Sequence, residues 1–83
     1  MLNIEKLRDL RRLHNVSQIE LGKELGVTKN YISMVENRHE KLTKQFHDRY
    51  INAVYKISMR KQNESIFNEL ENVKEVVQSV INE

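Results

Sequence analysis

Apolar residues recur every three or four positions along most of this chain, and strand-like alternation is nearly absent. That periodicity predicts an all-α protein. Ile4, Leu7, Leu10 and Leu13 share one face of a first helix over about residues 3–14. Asn15 is a suitable left-handed stop, since its short polar side chain tolerates positive φ. Ser17 with Glu20 three residues on forms a capping-box pattern for a second helix, and Leu21 and Leu25 make its buried stripe. Gly26 ends that helix, because glycine takes the left-handed turn position at little steric cost. Thr28 caps a third helix that reaches about Asn37, with Ile32 and Val35 inward.

A polar loop follows from Asn37 to Lys41. Thr43 is the cap of a fourth helix, in which Phe46, Tyr50, Val54 and Ile57 recur at helical spacing. Ser58 to Asn63 is polar and reads as a joint. A last helix over about residues 64–81 carries Ile66, Leu70, Val73, Val77 and Val80, whose alternating steps of four and three make a heptad seam. Val76 and Ile81 widen it. No glycine or proline separates these last two segments, so one bent rod is the alternative to two helices. The reading divides the chain into residues 1–62 as a bundle and 63–83 as an amphipathic oligomerisation helix. Folding the seam back onto Phe46, Tyr50 and Val54 is its rival to dimerisation.

Charge sharpens that division. The chain has 83 residues and a net charge of +2. Residues 1–62 hold 13 of the 14 Lys and Arg but 7 of the 12 Asp and Glu, and residues 63–83 hold one Lys against five Glu. The basic part suits a polyanion; the acidic part would be repelled by one and suits a protein. There are no cysteines. That excludes disulfides and thiolate metal sites, and fits a cytoplasmic protein. Met1 to Glu5 does not read as a signal peptide, and no stretch is apolar enough for a membrane span. His14, His39 and His47 have no companions at metal-ligand spacing, so neither a metal nor a cofactor is expected. His14 reads as a helix C-terminal decoration. No nucleophile–base pair or phosphate-cradling loop is visible, so an enzyme is not expected.

The segment Gln18 to Asn37 joins two short helices through a turn containing Gly26, with Gly22 small where the two helices cross. Thr28, Lys29, Asn30, Ser33, Met34 and Asn37 are left on the outer face of the second helix, which can lie in a major groove. Asn can pair with adenine, Lys can donate to guanine, and Met can pack on a thymine methyl. Lys29 can equally hold a phosphate.

This stretch resembles the Cro/C1-type, or XRE, helix-turn-helix family. Leu10-Arg11, Ser17-Gln18 with Leu21, Gly26-Val27, Ile32-Ser33 and Glu36-Asn37 carry the resemblance, which covers about residues 3–57. Gly22 stands where the family usually has alanine. Arg38 and Leu42 stand where it often has glycine and proline. The resemblance implies a lambda-repressor-like helical bundle and a DNA-binding transcriptional regulator, usually a repressor. It implies base contacts from Lys29, Asn30 and Met34, with Thr28 and Ser33 near them. It implies phosphate contacts from Gln18 and Asn37, and a buried salt bridge between Arg11 and Glu36. Tyr31 either lies over phosphates or covers the core edge. Arg38, His39, Lys41 and Lys44 either clamp the backbone or form an ordinary solvated loop.

The expected assembly is a homodimer through Ile66, Leu70, Val73, Val77 and Val80, with recognition helices about 34 Å apart on an inverted repeat of double-stranded DNA. The alternative is an interaction module whose C-terminal helix binds another protein, such as a toxin or an antirepressor, as relatives of this family do.

Overall fold

The computed structural model describes the backbone of residues 1–81 and the side chains of residues 1–66. Four helices follow in order: α1 (Ile4–Leu13), α2 (Gln18–Leu25), α3 (Lys29–Glu36) and α4 (Lys44–Ile81). The described residues contain no strand.

Each helix begins on a side-chain cap. Asn3 accepts from the Lys6 amide at 2.9 Å, and Thr28 accepts from the Tyr31 amide at 3.0 Å. Thr43 accepts from the Phe46 amide at 3.1 Å. At α2 the capping box is complete: Ser17 Oγ accepts from the Glu20 amide, and Glu20 Oε1 accepts from the Ser17 amide, both at 3.0 Å. Each cap satisfies an amide that helix geometry leaves without a carbonyl.

The three short helices end alike, on a left-handed residue. These are Asn15 (φ 59°), Gly26 (φ 72°) and Arg38 (φ 65°). After each, an amide reaches back five residues: Val16 to Arg11 O, Val27 to Gly22 O, and His39 to Met34 O, at 3.0, 2.9 and 2.8 Å. This is the Schellman arrangement. Asn15 and Gly26 were legible as stops. Arg38 was not: it occupies the left-handed position without the glycine that normally relieves its steric cost. Gly22 meets a different constraint. A Cβ there would lie 2.8 Å from the Val27 carbonyl oxygen, which is turn backbone and cannot swing aside.

The core joins Ile4, Leu7, Val16, Leu21, Leu25, Ile32 and Val35 to Phe46, Tyr50, Ala53, Val54 and Ile57 of α4. Leu13 departs from the expected stripe of α1. It is 79% exposed, because the buried stripe of α1 runs through Ile4, Leu7 and Arg11, and Leu13 lies about 200° around the helix from Arg11. His47 is buried; its Nε2 accepts from the Leu2 amide at 2.9 Å and so ties the N-terminus to α4. His14 caps α1, and its Nδ1 lies 3.0 Å from Ser58 Oγ.

The joint expected at Ser58 to Asn63 is absent. α4 is a single helix of 38 residues, about 57 Å long at 1.5 Å per residue. The reason lies in the residues that looked like a linker. Met, Arg, Lys and Gln are good helix formers. Several of them also dock α4 on the bundle: Arg60 reaches Glu24 at 3.3 Å, and Lys61 reaches Glu20 at 2.9 Å and the Asn15 carbonyl at 2.6 Å. Ser58 is buried against His14. The polar run is a docking surface, not a hinge.

Candidate nucleic-acid interface

α3 is positioned by a buried polar network on its inner side. Arg11 grips Glu36 with two parallel bonds, Nε to Oε2 at 2.8 Å and an Nη to Oε1 at 2.9 Å. Tyr50 donates its hydroxyl to Glu36 Oε2 at 2.7 Å, and Gln18 donates its amide to Oε1 at 3.1 Å. Arg11 also donates to the Val16 carbonyl at 3.0 Å. One carboxylate thereby links α1, α2, α3 and α4. Burial pushes the Glu36 carboxyl up, but the bonds from Arg11, Tyr50 and Gln18 outweigh it and hold it below its ordinary value. Burial alone would lower Arg11, yet Glu36 leaves it raised. Burial, and then Glu36, push the Tyr50 hydroxyl up. Such a network orients more than it stabilises, since its gains offset a large desolvation cost.

With Ile32, Val35 and Glu36 buried, the other side of α3 faces outward. Thr28, Lys29, Asn30 and Asn37 are exposed, and Ser33 and Met34 are half-buried. The row runs along the helix without a covering element. Thr28 Oγ1 accepts from the Tyr31 amide, which leaves its hydroxyl hydrogen free to donate. Asn37 is more constrained than its position suggested. Its amide nitrogen donates to the Ser33 carbonyl at 2.9 Å and to Ser33 Oγ at 3.2 Å, so it must turn before it can donate outward. Gln18 spends one amide hydrogen on Glu36 and keeps the other. Tyr31 covers the core edge, with its ring 5.6 Å from that of Phe46 in an edge-to-face contact.

Two shallow concavities flank α3. One, at its N-terminal end, is lined by Arg11, Arg12, Ser17, Gln18, Ile19 and Lys29. The other, at its C-terminal end, is lined by Asn3, Ile4, Val35, Arg38, Glu40, Lys41 and Leu42. Arg38 pairs there with Glu5, while His39, Lys41 and Lys44 are exposed. Arg12 was missed by the sequence reading, although the Arg11-Arg12 doublet held the signal. Adjacent helical residues point about 100° apart. If Arg11 is buried, Arg12 faces out.

Among the described residues, no cluster of His, Asp or Glu is placed to hold a metal ion, and no helix is long and apolar enough to cross a membrane. Of the dimer-seam residues, Ile66 is 56% exposed. The side chains of Leu70, Val73, Val77 and Val80 lie outside the described residues.

Two capped helices crossing at a glycine, with an uncovered polar row on the second, form a helix-turn-helix, an arrangement that DNA-binding proteins use. The comparison with protein families agrees: residues 7–45 match the helix-turn-helix family model. The matched segment is similar to the Cro/C1-type helix-turn-helix of the XRE family, whose members are DNA-binding regulators. That family is generally non-enzymatic. No curated protein and no solved structure matches the chain.

Proposed function

We propose that this protein is a transcriptional repressor that binds an inverted-repeat operator as a homodimer, with α3 in the major groove. The observation that carries the reading is the two-sided character of α3. Its inner row is locked by the Arg11–Glu36–Tyr50 network, and its outer row is uncovered. A helix held rigidly on one side and open on the other is what base reading requires. Lys29, Asn30 and Met34 read base edges in this account, with Thr28 and Ser33 beside them. Gln18, Tyr31, Asn37, Arg38 and Lys41 meet the backbone, Asn37 after turning.

The homodimer is supported by the outer face of α4. Tyr55, Met59 and Ile66 are 46, 62 and 56% exposed. They lie on the side of α4 away from Phe46, Tyr50, Ala53 and Ile57. The sequence continues their register. Positions 55, 59, 62, 66, 70, 73 and 77 step by four, three, four, four, three and four, a period of eleven residues. An 11-residue period stays on one side of a nearly straight helix. The seam is thus longer than the heptad stretch alone, interrupted only by Gln62. Residues 1–62 act as the DNA-binding unit and residues 63–83 as the oligomerisation segment.

Selection of bound sequences from a random duplex pool, with the full chain at moderate salt, tests this reading. An enriched inverted repeat is the expected result. Enrichment of a single half-site would retain the DNA reading and remove the dimer. No enrichment would transfer the outer face of α4 to the rival role, an adaptor that binds a toxin or an antirepressor.

A further inference from the structure

We propose that Arg12 holds a backbone phosphate of the bound duplex, in a slot between the C-terminal end of α1 and the N-termini of α2 and α3. The inference rests on the DNA-binding reading above and adds a contact to it.

The two neighbouring arginines have opposite fates. Arg11 is buried, and its guanidinium is committed to Glu36 and the Val16 carbonyl. Arg12 is exposed and has no hydrogen bond or ion pair among the described residues. A guanidinium free of partners keeps all its donors for a ligand, and its planar fork suits phosphate. It lines the concavity shared with Ser17, Gln18, Ile19 and Lys29.

The charged residues that line the slot are all cations, Arg11, Arg12 and Lys29. Glu36, which accepts from Gln18 of the same lining, is already bonded to Arg11 and Tyr50 as well. On the other side of Arg12, a second concavity contains Glu20, but Lys61 neutralises it at 2.9 Å. α2 and α3 both start here, and each leaves its first amides without helical carbonyls. Their partial positive charge adds to that of Arg12 and Lys29. The far end of α3 is different. There Arg38 pairs with Glu5, and Glu40 lines the same concavity as Lys41. The two flanks therefore differ in their attraction for phosphate, and the Arg12 side is the stronger.

Salt dependence of binding provides the test. Wild type, R12Q, R12K and, as a control, K6Q are titrated against two duplexes over a series of salt concentrations. One duplex carries the sequence selected by the wild type, and the other is of random sequence. Lys6 is an exposed cation of α1 that does not line the slot. R12Q should weaken binding to both duplexes about tenfold, the value of one charge-assisted hydrogen bond. It should also lower the slope of log affinity against log salt by about 0.9 per bound protomer, the share of one phosphate. R12K should restore the slope, and K6Q should leave it unchanged. Thermal melting accompanies each variant; if R12Q melts early, the comparison of R12K with K6Q decides. Wild-type affinity and slope in R12Q would overturn the inference while leaving DNA binding intact. Weakening confined to the selected duplex would overturn it too, because Arg12 would then read bases. If the wild type itself shows no salt-sensitive binding to either duplex, the inference falls together with the DNA reading.

Discussion

α4 has one finished face and one unfinished face. Phe46, Tyr50, Ala53 and Ile57 are each less than a tenth exposed, while Tyr55, Met59 and Ile66 are each close to half exposed or more. The inner face closes a bundle whose centre is ionic: Tyr50 reaches through the core to the carboxylate that also holds Arg11. On the outer face Tyr55 only borders the bundle, with its ring 5.1 Å from that of His14, while Met59 and Gln62 to Ile66 are exposed. A helix of average length would need only the first stripe. Carrying a second one, in register over several turns, puts a folding task and an assembly task on the same element. The difference teaches that stability and assembly should be separable by mutation.

The largest effect is expected on the inner side. Glu36→Gln removes the charge that compensates buried Arg11, and should cost about 3–5 kcal/mol in urea unfolding. The same group sets an acid limit. Its native pKa is lowered, so the stability it contributes is present above its unfolded value near 4.5 and is lost as pH falls through the native value. Wild-type stability should therefore decline below about pH 4.5, and Glu36→Gln should flatten that decline. An equally steep acid limb in the variant would assign the decline to other carboxyls.

The outer side should behave in the opposite way. Deleting residues 63–83 should leave the melting of the bundle nearly unchanged, because among the described residues the core ends at Ile57 and the last tie is Lys61. Operator affinity should fall by well over tenfold, since two linked half-sites gain from effective concentration. Met59→Glu should do the same in the full chain, with bundle stability within about 0.5 kcal/mol of wild type. Sedimentation would follow the loss of the dimer. A variant that unfolds instead would show that the outer face belongs to the core.

Smaller effects sharpen the picture at α3. Asn30→Ala should cost about 1–3 kcal/mol of binding and relax one base position if it reads adenine. Uniform loss on every sequence would make it a backbone contact. Arg38→Gly should raise stability by about 1 kcal/mol, because Arg38 stands at φ 65° and glycine takes that conformation at little steric cost. It should also slightly weaken DNA binding by removing a cation. Calorimetry that showed no gain would mean that the Glu5 pair offsets the backbone cost.

The code that was legible in the sequence is local. Ser17 with Glu20, Thr28 and Thr43 announced helix starts because a cap acts on an amide two or three residues away. Asn15 and Gly26 announced helix ends because the left-handed conformation selects residue types. Leu7, Leu21, Ile32, Val35 and Tyr50 were readable as core from their spacing alone. The Arg11–Glu36 pair was legible only through resemblance to a family. Arg38 gave no warning, since the surrounding loop overrides its preference.

Tertiary structure decided the rest. Ser58 to Asn63 reads as a joint because its residues are polar, and becomes continuous helix because Glu20, Glu24, Asn15 and His14 are waiting across from it. The sequence by itself determined the three short helices, the caps and the outward row of α3, since each depends on neighbours a few residues away. Which polar side chains dock, which arginine of a pair is buried, and which face of α4 is left open depend on partners 25 to 46 positions distant. No local pattern encodes those partners; packing alone brings them together.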